Sequence, residues 1–165
     1  MRKTICYIAF LILMGSTAVL ADPISITIDN TPLIGGGGTI LTFDATMTNT
    51  TGGALNLNGD NFSFAPAFAT AKVDDSAFFT AWPAALAAGQ TFGSDALFSI
   101  FIPRGTALGT YDGIFAVVGG AGLNDQNLLG SAAFQFTVAP EPGTLSLTLL
   151  GMVGLAAISL KRLHA

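Results

Sequence analysis

The chain has 165 residues, 51% of them hydrophobic and only 10% charged, with a formal net charge of −4. That length suits one domain, and six basic residues against ten acidic ones count against a nucleic-acid binder. One cysteine excludes an intrachain disulfide and a cysteine-rich zinc site, and one histidine excludes multi-histidine metal centres and proton relays.

The first predicted element is an export signal over residues 1–21. Arg2 and Lys3 give a basic start, and Ile5 to Met14 an unbroken apolar run. Val19 and Ala21 are the small residues a signal peptidase requires, leaving Asp22 as the mature start. Cys6 lies inside the apolar run and leaves with it.

Residues 22–139 form the predicted domain. Nine aspartates against two basic residues, Lys72 and Arg104, give it a net charge of −7, and 12 of the 13 phenylalanines lie here. Its hydrophobic period is two, which predicts half-buried strands. Ile24, Ile26 and Ile28 share the first apolar face, followed by Leu41, Phe43, Ala45 and Met47. Phe92, Ser94, Ala96, Phe98, Ile100 and Ile102 share another; Tyr111, Gly113, Phe115 and Val117 the next; Ala132, Phe134, Phe136 and Val138 the last. Leu97, Phe101, Ile114 and Val118 make the opposite faces of two strands partly apolar, as in central or covered strands. Turn chemistry separates the runs: Gly35 to Gly38, Thr51-Gly52-Gly53, the hairpin-like Asn58-Gly59-Asp60, Pro103-Arg104-Gly105, and Gly119-Gly120-Ala121-Gly122. One short helix is expected over Pro83 to Ala88. About seven strands and no long helical pattern predict an all-β class, a single β-sandwich.

Beyond residue 139 the chain reads Pro140-Glu141-Pro142-Gly143, then an uncharged run of 17 residues from Thr144 to Leu160, then Lys161-Arg162-Leu163-His164-Ala165. As a helix that run is about 26 Å long, and Lys161 and Arg162 can snorkel to reach the ~30 Å of a hydrocarbon core. A transmembrane helix over 144–160 is therefore expected, with the two basic residues as its cytoplasmic stop. Residues 140–165 resemble the PEP-CTERM sorting signal, with Pro140, Glu141 and Pro142 as its sorting motif. The resemblance implies recognition by an integral-membrane exosortase after export by signal peptidase and the export machinery. It also implies transit through the inner membrane and a final place in the periplasm, at the cell surface or in a biofilm matrix with exopolysaccharide. Leu86 to Phe92, Phe98 to Pro103 and Gly109-Thr110-Tyr111-Asp112-Gly113 are similar to Ig-like or fibronectin-like surface domains. That likeness makes Tyr111 the tyrosine that bonds back across a corner.

Chemistry is sparse. No histidine stands in residues 22–139 to serve a Ser-His-Asp or Cys-His set, and Asp74-Asp75, the nearest carboxylate pair in sequence, would point to opposite faces of a strand. No enzymatic activity is expected. No cofactor is expected: Asn56 to Asn61 and Asn124 to Asn127 read as solvated turns, with a low-affinity calcium site as the alternative. Asn49-Thr50-Thr51 and Asn61-Phe62-Ser63 match the glycosylation sequon. Two functions are consistent with this reading: a non-enzymatic exported surface or matrix protein, membrane-anchored and processed, or a carbohydrate- or ligand-binding sandwich of the cell envelope. Trp82, before Pro83 in an expected loop, reads first as a core plug; the alternative makes it, with Phe78, Phe79 or Phe101, the candidate platform for a ligand.

Overall fold

The computed structural model describes residues 22–65, 72–140, 143, 147–148 and 150–153. The elements are β1 (Ile24–Ile28), β2 (Leu33–Gly35), β3 (Ile40–Asn49), β4 (Leu55–Ala65), β5 (Lys72–Asp74), α1 (Ser76–Thr80), β6 (Ala85–Leu86), β7 (Thr91–Phe101), β8 (Gly109–Gly120) and β9 (Asn127–Val138). They form two sheets, one ordered β1-β3-β7-β5 and the other β2-β9-β8-β4-β6. All neighbours are antiparallel except β2, which runs parallel to β9. The expected single Ig-like sandwich is thereby corrected to an all-β, two-sheet arrangement close to a half-barrel. The two sheets nearly close on one another beside β1, where the Ile24 carbonyl lies against Gly130 of β9.

The alternation that predicts the strands also makes the core. Phe43, Ala45 and Met47 of β3 are fully buried, as are Phe115 and Val117 of β8 and Phe136 of β9. Phe98 lies between the sheets at the centre, with ring centroids 4.9 Å from Phe43, 4.9 Å from Phe134 and 5.6 Å from Phe115. Each such ring removes enough apolar surface from water to contribute about 2–3 kcal/mol. Tyr111 closes the entry to β8, its hydroxyl donating to the Ala107 carbonyl at 2.9 Å.

Three local expectations give way to pairing partners far along the chain. Asn58-Gly59-Asp60 is no turn: β4 runs through it, because β8 supplies a ladder from Asn56 to Ala65, and the surplus residue is taken up as a bulge between Leu57 and Gly59. The alanine-rich stretch at 83–88 is no helix: Ala85 and Leu86 pair with Asn56 and Leu55, and Leu86 is fully buried. The helix stands upstream instead, where Asp74 Oδ1 accepts from the Ser76 N–H at 3.0 Å and Ala81 N–H donates to Ala77 at 2.8 Å. In β7 two register shifts insert Ser94 and Leu97 as extra residues opposite β3. Leu97 and its neighbour Phe98 are consequently both fully buried, which strict alternation forbids. Gly93 makes the first shift with φ 140°, and a Cβ there would stand 2.3 Å from the Ala45 carbonyl oxygen.

The flanking helices are the larger correction. No helix among the described residues is long and apolar enough to cross a membrane. Of residues 144–160, the structure describes 147–148 and 150–153, which are helical. The expected transmembrane helix over 144–160 is overturned, and with it the membrane-anchored sorted protein and its passage through the inner membrane. The expected signal over 1–21, Glu141 and Pro142 of the sorting motif, and Lys161 and Arg162 lie outside the described residues; Pro140 is exposed.

Candidate ligand cleft

The outward face of β9, β8 and β4 carries a cleft of about 560 Å³. Register builds it in rows. Ala65, Asp112 and Gln135 stand side by side, then Ser63, Ile114 and Ala133. Alternation turns all of these away from the core, and the small residues leave a trough around Ile114, which is 49% exposed. Pro32, ahead of β2, forms one wall. The floor is firm: Gly113 lies over the buried Phe134 ring, and a Cβ there would stand 2.2 Å from Phe134 Cζ.

One end of the trough is polar and held in place. Gln135 Nε2 donates to Asp112 Oδ1 at 2.8 Å. The Gln135 backbone is fixed in turn by Thr31, whose hydroxyl accepts from the Gln135 N–H at 2.8 Å and donates to its carbonyl at 3.2 Å. Thr31 thus pairs with β9 just before the β2 ladder begins at Leu33 and Phe136. The other carboxylate oxygen of Asp112, the second amide proton and the amide oxygen of Gln135, and the Ser63 hydroxyl remain as acceptors and donors for a ligand. No basic side chain lines the cleft, so it disfavours anions.

The expected platform is elsewhere. Trp82 is 6% exposed, its Nε1 donates to the Ala96 carbonyl at 2.9 Å, and its ring meets Phe92 edge to face. A sugar cannot stack on it. Phe78 is buried and Phe101 half-buried, leaving Phe79 alone exposed among the rings expected with it.

The two calcium candidates are brought together, but as a strap. Asn58 Nδ2 donates to the Gly122 and Asp125 carbonyls at 3.1 and 2.8 Å, and Asn56 Nδ2 to Ala121 at 2.9 Å. Amide protons occupy the carbonyl oxygens that a cation would use. Among the described residues no group of three or more His, Cys, Asp and Glu could hold a metal. The sequon at Asn49 is sealed. That side chain is fully buried and donates to the Gly53, Leu86 and Ala87 carbonyls, while its Oδ1 accepts from the Thr51 N–H and hydroxyl.

The cleft has no motif in the sequence, because its residues come from three strands and a loop, set beside one another by register. The one hint was the partly apolar outer face at Ile114. A second arrangement was equally hidden. The carboxyl partner of Asp75 is not Asp74 but Asp60, 15 positions away on β4. Burial, then the charge and hydrogen bond of Asp75, push Asp60 up from 3.8 to about 6.

No family model matches this chain, and no curated protein matches it. Among solved structures, it is similar to the solution structure of the CARDB domain of a Pyrococcus furiosus protein. The identity is 15%, covering 72% of this chain and 96% of that one, with a TM-score of 0.44. At that level neither a fold nor a function transfers.

Proposed function

We propose that this chain is a ligand-binding β-sandwich module whose outer-face cleft takes a neutral, hydroxyl-rich ligand, a carbohydrate. The observation that carries the reading is the Asp112–Gln135 pair set beside the exposed Ile114 in a cleft of about 560 Å³. That combination of an apolar bed and a few fixed polar groups is what small-molecule sites share. Adjacent sugar hydroxyls need an acceptor and a donor side by side, which a carboxylate bonded to an amide supplies. The aliphatic face of a sugar ring fits against Ile114 and the flanking alanines. The acidic surroundings, −7 over residues 22–139, favour neutral over anionic glycans.

The test is an NMR titration of the full chain with neutral and with uronate-containing oligosaccharides. Neutral sugars are expected to shift the Ile114, Ala133 and Gln135 signals. Asp112→Ala and Ile114→Glu should each weaken binding at least tenfold, about 1.4 kcal/mol, without changing the melting temperature. Binding that ignores both substitutions, or no binding of any neutral glycan, refutes the assignment.

A further inference from the structure

Asn58-Gly59 is the only Asn-Gly pair in the chain, and the fold sets it inside β4 instead of in a turn. The pair is chemically labile. Once the Gly59 nitrogen gives up its proton, it can attack the side-chain carbonyl carbon of Asn58. A carbon–nitrogen bond forms, the amide nitrogen leaves as ammonia with the proton from Gly59, and a cyclic imide closes. Water then adds to one of the two imide carbonyls and reopens the ring as aspartate or isoaspartate. Glycine favours the attack because it has no Cβ to crowd the nitrogen.

A loop far along the chain restrains that reaction. Asn58 is the surplus residue of the β4 bulge, without a Cα partner on β8. Its half-buried side chain reaches the turn between β8 and β9. There Nδ2 donates to the Gly122 carbonyl at 3.1 Å and to the Asp125 carbonyl at 2.8 Å. Both amide protons are thereby used. The attack must come onto the face of the amide, and two bonds fix the plane of that group. The turn is held in its own right. Asp125 Oδ2 accepts from the Gly122 N–H at 2.8 Å, and Asn56 Nδ2 donates to the Ala121 carbonyl at 2.9 Å.

We propose that Asn58 is a deamidation site that the turn between β8 and β9 holds shut, and that opening of the turn lets it convert irreversibly. Neither product can restore the closed state. Aspartate at 58 has no amide protons to give and sets a carboxylate against two carbonyl oxygens. Isoaspartate adds a carbon to the main chain within β4 and upsets the register with β8 beyond it.

The full chain is to be incubated at mildly alkaline pH, folded and in unfolding urea, with conversion at Asn58 followed by peptide mass spectrometry. The folded chain converts in proportion to its open fraction, so its rate should be about tenfold or more below that in urea. Asp125→Ala frees the Gly122 N–H while keeping the carbonyl at 125. It should speed conversion of the folded chain about threefold or more and leave the rate in urea unchanged. Asn56→Ala loosens the turn at Ala121 and should act in the same direction, which covers the case of an unfolded Asp125→Ala. Gly59→Ala puts a Cβ 3.4 Å from Val118 Cγ2, a contact the sheet can accept, and should slow conversion in urea about tenfold. Asn58→Asp should hasten hydrogen exchange at the Gly122 amide. Equal rates in folded and unfolded chain overturn the proposal, as do wild-type rates in the folded turn variants. So do an absence of conversion in urea, a rate there that Gly59→Ala does not slow, or unchanged Gly122 exchange in Asn58→Asp.

Discussion

Replacing Asn49 by alanine removes five side-chain hydrogen bonds from one buried point. Its amide ties the end of β3 to the Gly53 turn and to the Leu86 and Ala87 carbonyls beside β6, while its oxygen receives two bonds from Thr51. The bonds are not equal. The one to Leu86 is buried, and the others are part-buried, where water can enter. Orphaning a sealed carbonyl costs about 2 kcal/mol and each of the wetter bonds about 0.5 kcal/mol, so the loss comes to about 4 kcal/mol. That is a large share of the ~5–15 kcal/mol that holds a domain together. Urea unfolding followed by Trp82 fluorescence should show the midpoint falling by about 2 M at an m-value near 2 kcal/mol/M. Asn49→Asp is expected to do at least as much harm at neutral pH, since it sets an oxygen against three carbonyls. A loss below about 1 kcal/mol for alanine, with an unchanged m-value, would refute the view that this amide organises the junction.

Two further outcomes follow from close contacts. Tyr111→Phe removes only the hydroxyl that bonds to Ala107, and should cost about 1 kcal/mol in the same assay. Gly113→Ala must displace the Phe134 ring that its new Cβ would strike. It should destabilise by about 2–3 kcal/mol and also disturb the Ile114 signal in the cleft above.

Where alternation was unbroken, the residues alone located the strands and their inward faces. Leu41 to Met47 and Tyr111 to Val117 are inward as the period of two requires. It broke down where one strand carries surplus residues. Leu97 belongs to the outer face by counting, yet it is fully buried because a bulge resets the phase behind it. Turn and helix signals misled for a related reason. Asn58-Gly59 has the chemistry of a hairpin and the alanines at 84–88 that of a helix, but each preference amounts to about 1 kcal/mol or less. A ladder with β8 and the burial of Leu86 outweigh that. The long apolar run after Pro140 looked like a membrane span by composition, and no helix among the described residues bears this out. The cleft was legible only as an oddly apolar outer residue, Ile114, while Trp82 is buried, in keeping with its first reading as a core plug.

The sequence by itself determined the class: a period of two over residues 22–139, many phenylalanines and frequent turn residues leave an all-β, two-sheet structure as the way to bury those rings. Tertiary structure alone decided which side chains became neighbours. Asp112 meets Gln135, Asp60 meets Asp75, and Asn49 meets Leu86 through pairings 15 to 37 residues apart. Side-chain period is a property of one strand, whereas register is a property of two. It is settled by the free energy of the whole packed sheet, which no local stretch of residues contains.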